Sequence, residues 1–278
     1  MGWGDAFENH SGYAEATCDR LACAGAAMPT SPPAPRFKLS RIPRGRFVLS
    51  LVLALALVVL WSAIGAHDSK TWLVENALVP VLLLLLGLSY RALPLSRVSY
   101  SLIFLFLVLH EIGAHWTYSL APYNEAWNAV FGVRLNDVLG LERNHFDRLV
   151  HFSYGLLFAY PIREVFLRLA NVKGFWGYFL PFDLTLSTST LFELVEWIAV
   201  LMTAPEVGMA YLGTQGDEWD AQKDIACAMV GALVTMGVTA AINARYKRDF
   251  AREFLRSLEV KHARPLGEDS LDRARAEV

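Results

Sequence analysis

The sequence predicts an all-α integral membrane protein with a bundle of about six transmembrane helices, and three observations support this fold class. Of the 278 residues, 54% are hydrophobic and only 19% are charged, whereas an ordinary soluble domain carries about 25% charged residues. The apolar residues lie in blocks of about 20, the length that crosses a bilayer. Backbone groups in lipid must be hydrogen-bonded within their own segment, so helices are the default for such blocks.

Composition also excludes several classes of protein. A water-soluble enzyme is not expected from these apolar blocks. Three cysteines, an odd number, do not suit a disulfide scaffold. The net charge of −2 gives no basic field, so no nucleic-acid partner is expected.

The chain divides into three predicted parts. Residues 1–46 form a basic leader, rich in small residues and proline, that is expected to be disordered. Residues 47–246 form the six-helix transmembrane domain, and residues 247–278 form a cytoplasmic tail that is helical and then disordered. The predicted spans are Phe47–Gly65, Thr71–Tyr90, Val98–Trp116, Asp147–Arg168, Phe175–Met202 and Lys223–Asn243.

Positively charged residues indicate the orientation. They cluster before the first span, at the second and fourth connections and after the sixth span, which is one side of the membrane if there are six spans. Because cytoplasmic connections are enriched in Lys and Arg, both termini are expected inside. The chain is therefore predicted to be a multi-pass protein of the bacterial inner membrane.

Two local patterns add detail. The stretch 124–131, in a long outer loop, is expected to form a short interfacial helix. In the sixth span, Cys227, Gly231 and Thr235 form a stripe of small residues, which is typical of closely packed transmembrane helices.

Acidic and imidazole side chains occur in pairs at helical spacing on the last four spans. Residues three or four apart share one face of a helix. Because alternate spans run in opposite directions, all the pairs fall at the outer end of the bundle. The pairs are Glu111 with His115, Asp147 with His151, Glu193 with Glu196, and Asp220 with Asp224.

So much negative charge at a membrane boundary requires compensation. One charged side chain at a helix centre costs about 2.5–3.5 kcal/mol on insertion scales. Protonation, ion pairs with Arg143, Arg148 or Lys223, or a bound divalent cation would each provide compensation. Zinc, iron or manganese would suit the mixed oxygen and nitrogen donors better than calcium. The predicted metal ligands are Glu111, His115, Asp147, His151, Glu193 and Glu196, and one of Asp217, Asp220 and Asp224 would be the catalytic general base.

Structural roles remain as alternatives. Asp147 and Asp217 could be helix N-caps. Glu193 and Glu196 could be held by salt bridges to Arg148 and Lys223. Asp183 could pair with Arg163, or it could relay protons towards the outer cluster.

Several of these motifs, in order, resemble the YjdF-like family of bacterial inner-membrane proteins, a domain of unknown function. The resembling segments are 110–115 (HEIGAH), 146–152 (FDRLVHF), 192–197 (FELVEW) and 216–224 (GDEWDAQKD). More distantly, Asp147, His151 and Phe152, with Glu193 and the Asp217-x-x-Asp220 pair, are similar to landmarks of VanZ-like proteins. That likeness implies a cell-envelope role, although Asp224 and Glu196 stand where those proteins usually have Asn and often have Gln.

The sequence supports three functional hypotheses. The first is a metal-dependent enzyme acting on a lipid-linked or cell-envelope substrate at the periplasmic face, with membrane lipid as its surroundings. The second is a proton- or cation-coupled transporter, although only one polar cluster and no inverted repeat are visible. The third is a non-catalytic envelope scaffold.

Overall fold

The structure does not describe every residue of the chain. The computed structural model describes residues 43–202, 215–246, 250–261 and 275–276, all of which belong to one compact unit, residues 42–278. Most of the predicted leader and tail lie outside these ranges, as does most of the predicted outer loop between the last two spans. Within the described ranges the regular secondary structure is helical, without strands.

The first half of the membrane domain has four helices, two of which divide one apolar stretch. They are α1 (Arg44–Ala63), α2 (Ser69–Glu75), α3 (Leu78–Ser89) and α4 (Arg97–His115). The Asp68 side chain caps α2 by accepting bonds from the backbone of Lys70 and Thr71. The break after α2 has a clear cause, because Pro80 has no N–H to donate to the carbonyl of Asn76 four residues earlier.

The second half has two short helices, then three long ones and a short last helix. They are α5 (Tyr123–Phe131), α6 (Leu135–Leu139), α7 (Phe146–Leu169), α8 (Trp176–Met202), α9 (Asp220–Tyr246) and α10 (Phe250–Ser257). The helix predicted at 124–131 is therefore present as α5. Helix α9, which corresponds to the last predicted span, begins at Asp220, three residues before the predicted start at Lys223.

Five described helical segments are long and apolar enough to cross a membrane: Arg44–Ala63, Ser69–Ser89, Arg97–His115, Trp176–Met202 and Asp220–Tyr246. The predicted all-α, multi-pass membrane fold is confirmed. The remaining predicted span, the fourth (Asp147–Arg168), corresponds to α7, which is 24 residues long but contains several charged residues and falls outside this set. The count of six spans and the inward orientation of both termini stay predictions.

The most polar long helix lies at the centre of the bundle. Helix α7 packs against α4, α8 and α9, and its only exposed residues are Leu149, Arg168 and Leu169. Neighbouring helices therefore shield its polar side chains, which explains why α7 is less apolar than the helices at the periphery.

Glycines let α7 and α9 come close together. A Cβ added at Gly155 of α7 would lie 1.9 Å from the carbonyl oxygen of Ala228, and one added at Gly231 of α9 would lie 2.1 Å from that of Phe152. The Thr235 hydroxyl also donates to the carbonyl of Leu156. The small-residue stripe predicted in the last span thus contacts α7, and this contact brings the beginnings of the two helices together.

Candidate metal centre

Three helices bring four donor side chains together at one end of the bundle. Ligand atoms of Asp147, His151 and Asp224 all lie within 4.8 Å of one another. On α8, Glu193 contributes an Oε1 that lies 3.4 Å from the Nε2 of His151, and the Oδ1 of Asp147 lies 3.6 Å from the same nitrogen. We call Asp147, His151, Glu193 and Asp224 the donor group.

Local sequence explains this convergence. Asp147 and His151 are four residues apart on α7, so both point to the same side of that helix. The close contact through Gly155 and Gly231 places Asp224, at the start of α9, against this face. The helix begins after His145, so Asp147 lies inside α7 and the N-cap alternative for this residue was wrong.

Two oxygens in the donor group are buried without a hydrogen bond. They are the Oδ1 of Asp224, whose residue is 2% exposed, and the Oε1 of Glu193, whose residue is 9% exposed. A buried acceptor with no partner costs about 1–3 kcal/mol, and a charged one costs more. Three carboxylates around one imidazole therefore need a cation or protons.

The nearby basic residues form ion pairs with carboxylates outside the donor group. Arg148 Nη2 lies 2.6 Å from Asp220 Oδ1 and 3.0 Å from Asp217 Oδ2, and Arg143 also bonds Asp220. Lys223 Nζ lies 2.7 Å from Asp217 Oδ2. We call these five residues the outer network. The proposed salt bridges from Arg148 and Lys223 to Glu193 and Glu196 are thus not observed, because both cations pair with aspartates of this network.

Two of the three predicted general bases, Asp217 and Asp220, are ion-paired in the outer network. Asp217 precedes α9, and its pKa lies below the usual value, chiefly because the Lys223 side chain donates a hydrogen bond to it. Asp220 is 5% exposed and is held by two arginines. Asp217 and Asp220 therefore anchor the start of α9 to α7 and to the loop before it, whereas Asp224 belongs to the donor group.

Glu111 and His115 lie in a different cluster. The Ser62 hydroxyl of α1 bonds the Glu111 carboxylate, and the Ser62 carbonyl lies 2.8 Å from His115 Nδ1. The indole Nε1 of Trp72 donates to the Ser62 hydroxyl at 3.1 Å, and the ring of Trp61 stacks on His115 at 4.8 Å. We call these five residues the α4 cluster. The structure does not bring Glu111 and His115 into the donor group.

A cavity of about 380 Å³ extends from the donor group. Its polar end contains side chains from α2, α4, the following turn, α7 and α8. Apart from Thr188 and Ser189, its remaining lining is aliphatic or aromatic and includes Leu82, Phe106 and Phe158. The residues at the polar end are Glu75, His110, Tyr118, Asp147, His151 and Glu196.

The cavity opens towards the lipid-facing surface. Leu78 of α3 is 46% exposed, and Leu191 and Val195 of α8 are 58% and 46% exposed, although all three line the cavity. The mouth therefore lies between α3 and α8. A cavity that is apolar on most of its surface and polar at one end suits an amphiphilic ligand.

Sequence reasoning missed two residues of this cavity. Glu75, 5% exposed, lies at the break between α2 and α3, and Tyr118 bonds the Nδ1 of His110. A signal for Glu75 was available, because it is a lone ionisable residue in an apolar stretch. Tyr118 offered no such signal, since its position depends on the turn after α4.

Asp183 is exposed on α8. Within the part of the chain that the structure describes, it forms no ion pair with Arg163, whose guanidinium lies 4.7 Å from the centre of the Tyr178 ring. The predicted Asp183–Arg163 pair is therefore wrong.

Comparison with known proteins places these helices in a family. Residues 47–245 match the family model described as "Predicted membrane protein (DUF2238)". The chain belongs to this family. The match includes every residue of the donor group, the outer network and the α4 cluster, and it ends before α10.

A curated inner membrane protein is similar over most of the chain. The chain is 37% identical over 199 residues to the inner membrane protein YjdF of Escherichia coli (strain K12), which covers 71% of this chain and 91% of that protein. The predicted location, a multi-pass protein of the bacterial inner membrane, is confirmed. No solved structure matches the chain. The likeness to VanZ-like proteins is not shown and stays a prediction.

Proposed function

We propose that this protein is a metal-dependent membrane enzyme that acts on an amphiphilic, lipid-linked substrate. The observation that carries the proposal is that Asp147 and His151 of the donor group line the polar end of a cavity that is mostly apolar elsewhere and opens to lipid. A soluble substrate would gain little from a mouth between α3 and α8, whereas an amphiphile could enter from the bilayer without leaving it.

The donor group fits a divalent transition metal. One imidazole and several carboxylates from neighbouring helices are an established ligand set in helical bundles. The unpartnered oxygens of Asp224 and Glu193 lie on the two helices that face His151. Zinc, iron and manganese accept mixed nitrogen and oxygen donors, whereas calcium prefers oxygen alone. A bound metal of this kind would supply a Lewis acid for hydrolysis.

Residues of this chain would then bind the metal, position the start of α9 and transfer protons. Asp147, His151, Glu193 and Asp224 would hold the metal, and the outer network would fix the start of α9 and with it Asp224. Glu196 is three residues from Glu193 and lines the cavity, whereas Glu193 contacts His151 and does not line it. We assign Glu196 to proton transfer with the substrate.

The transport hypothesis has less support. In that hypothesis Asp183 passes protons to the acidic residues at the outer end of the bundle, but Asp183 is exposed on α8. Ten residues separate it from Glu193, about 15 Å along a helix, which is too far for direct proton transfer.

Metal content of the purified full-length protein tests the proposal. We expect about one equivalent of zinc, iron or manganese per chain, because the donor group has ligands for one ion. The variants His151→Ala and Asp224→Asn should lose it. The matched control is His115→Ala, which removes an imidazole from the α4 cluster and should keep the metal. A wild-type protein without metal, or equal loss in all three variants, would contradict the proposal.

Cavity filling tests the substrate class separately. Native mass spectrometry of protein released from membranes should detect a retained amphiphile. Val195→Trp, at the mouth, should displace it and leave the metal content unchanged. Leu194→Trp is the control, because the neighbouring Leu194 is 47% exposed and does not line the cavity. If both tryptophan variants retain the amphiphile, lateral entry between α3 and α8 is wrong.

A further inference from the structure

A second cavity lies at the opposite end of the bundle from the donor group. It has a volume of about 780 Å³ and is formed by the connection between α7 and α8 together with α10. From Asp147 to the end of α7 the helix continues for 22 residues, about 33 Å, which is close to the thickness of the hydrocarbon core. The two cavities therefore face opposite sides of the membrane.

Basic side chains dominate this second cavity. Lys173 comes from the α7–α8 connection, Arg252 and Arg256 lie one turn apart on α10, and Lys261 follows α10. Glu253 is the single carboxylate among its lining residues. We call this cavity the basic groove.

One wall of the basic groove is apolar. Val172, Trp176 and Leu180 line it beside the cations, and Trp176 is 40% exposed. Trp side chains are enriched at the level of the lipid headgroups. The groove thus combines positive charge with apolar surface at the depth where headgroups meet acyl chains.

The docking of α10 that forms the groove is specific. The backbone N–H of Phe175 donates to Ser257 Oγ at 2.8 Å, and the indole of Trp176 donates to the Ser257 carbonyl at 2.9 Å. Phe254 packs against Phe175 with ring centres 5.7 Å apart.

A glycine makes this close approach possible. Gly174 has a φ of +56°, and a Cβ there would lie 2.5 Å from the Glu253 carbonyl oxygen. Other residues rarely adopt this backbone conformation. The groove is therefore a built feature of the fold, with α10 fixed against the α7–α8 connection.

We propose that the basic groove binds the anionic headgroup of a phospholipid from the adjacent leaflet. The cations match the phosphate diester and the apolar wall accommodates the first part of an acyl chain, a combination that inorganic phosphate would not need. Basic pockets between transmembrane helices on the cytoplasmic side are known to bind anionic headgroups, and the predicted orientation places this groove there. The proposal does not depend on the metal centre.

Native mass spectrometry of the full chain, with added phosphatidylglycerol or phosphatidylcholine of equal acyl length, tests the proposal. We expect retention of phosphatidylglycerol over phosphatidylcholine. The double variant Lys173→Ala/Arg256→Ala should weaken phosphatidylglycerol binding by roughly fivefold for each cation removed. The control Arg91→Ala/Arg245→Ala removes two exposed cations that do not line the groove, and it should bind like the wild type.

Two further measurements distinguish lipid binding from loss of folding and from binding of free phosphate. The charge-conserving variant Lys173→Arg/Arg256→Lys should retain binding, which separates loss of charge from loss of folding. Millimolar inorganic phosphate should not displace the lipid. Equal retention of both lipids, equal loss in the control variant, or displacement by inorganic phosphate would overturn the proposal.

Discussion

The donor group and the α4 cluster contain the same types of side chain, but their surroundings differ. In the α4 cluster, the carboxylate contacts a hydroxyl and the imidazole contacts a backbone carbonyl and an indole ring, all of which are neutral. In the donor group, three carboxylates surround one imidazole, and two of their oxygens have no hydrogen bond. A single buried carboxylic acid can be accommodated by protonation, whereas three in contact repel one another unless a cation lies between them.

The two groups also differ in whether a ligand in the cavity can reach them. Asp147 and His151 line the cavity that opens to lipid, whereas Glu111 and His115 do not. Glu111 is fully buried, between α1, α2 and α4. We infer that the α4 cluster holds helices together and that the donor group acts on a ligand. Residue type and helical spacing, which are the same in both regions, could not separate these roles.

The largest expected effect comes from separating α7 and α9. Gly231→Ala would place a Cβ 2.1 Å from the carbonyl oxygen of Phe152, so the helices must move apart. Overpacking of this kind costs about 3 kcal/mol at the upper end of its usual range. Because Asp224 lies on α9 and Asp147 on α7, metal content should fall together with the free energy of unfolding in detergent.

Gly237→Ala is the matched control for this change. It lies on the same helix, but a Cβ at Gly237 would meet nothing within 4 Å. Stability and metal content should both stay close to wild type. If Gly231→Ala destabilised the protein but kept all of its metal, the donor group would not depend on the α7–α9 contact.

The sequence predicted the helical membrane fold because blocks of about 20 apolar residues have few other outcomes in a bilayer. It also predicted a close helix contact through the small residues Gly231 and Thr235, but it did not identify α7 as the partner helix. It did not predict that α2 and α3 are separate helices, although Pro80 marks the break. Local composition is enough to predict that a segment is helical. Whether the helix is continuous across the whole span depends on single residues, such as a proline, within it.

The candidate site was only partly predictable for a different reason. Spacing predicted that each pair of side chains shares a helix face, and the alternating direction of the spans predicted that all pairs lie at one end of the bundle. Neither shows which helix faces which. Glu111 and His115 point from α4 towards α1, whereas Asp147 and His151 point from α7 towards α8 and α9. That difference depends on the rotation of each helix within the bundle, which no local pattern encodes.

A smaller effect is expected in the α4 cluster. Ser62→Ala removes the hydroxyl that bonds Glu111 and accepts from the Trp72 indole. Loss of one partner of a buried polar group costs about 1–2 kcal/mol, so the free energy of unfolding in detergent should fall by this amount. Metal content should not change, because Ser62 contacts no member of the donor group among the described hydrogen bonds.

The matched control for this variant is Ser50→Ala, which removes an exposed hydroxyl from the same helix that bonds only the nearby Phe47 carbonyl among the described contacts. It should leave stability within about 0.5 kcal/mol of wild type, as is usual for surface substitutions. If Ser62→Ala lowered the metal content while Ser50→Ala did not, the α4 cluster would be coupled to the metal centre. The division between a structural cluster and a ligand-binding group would then have to be abandoned.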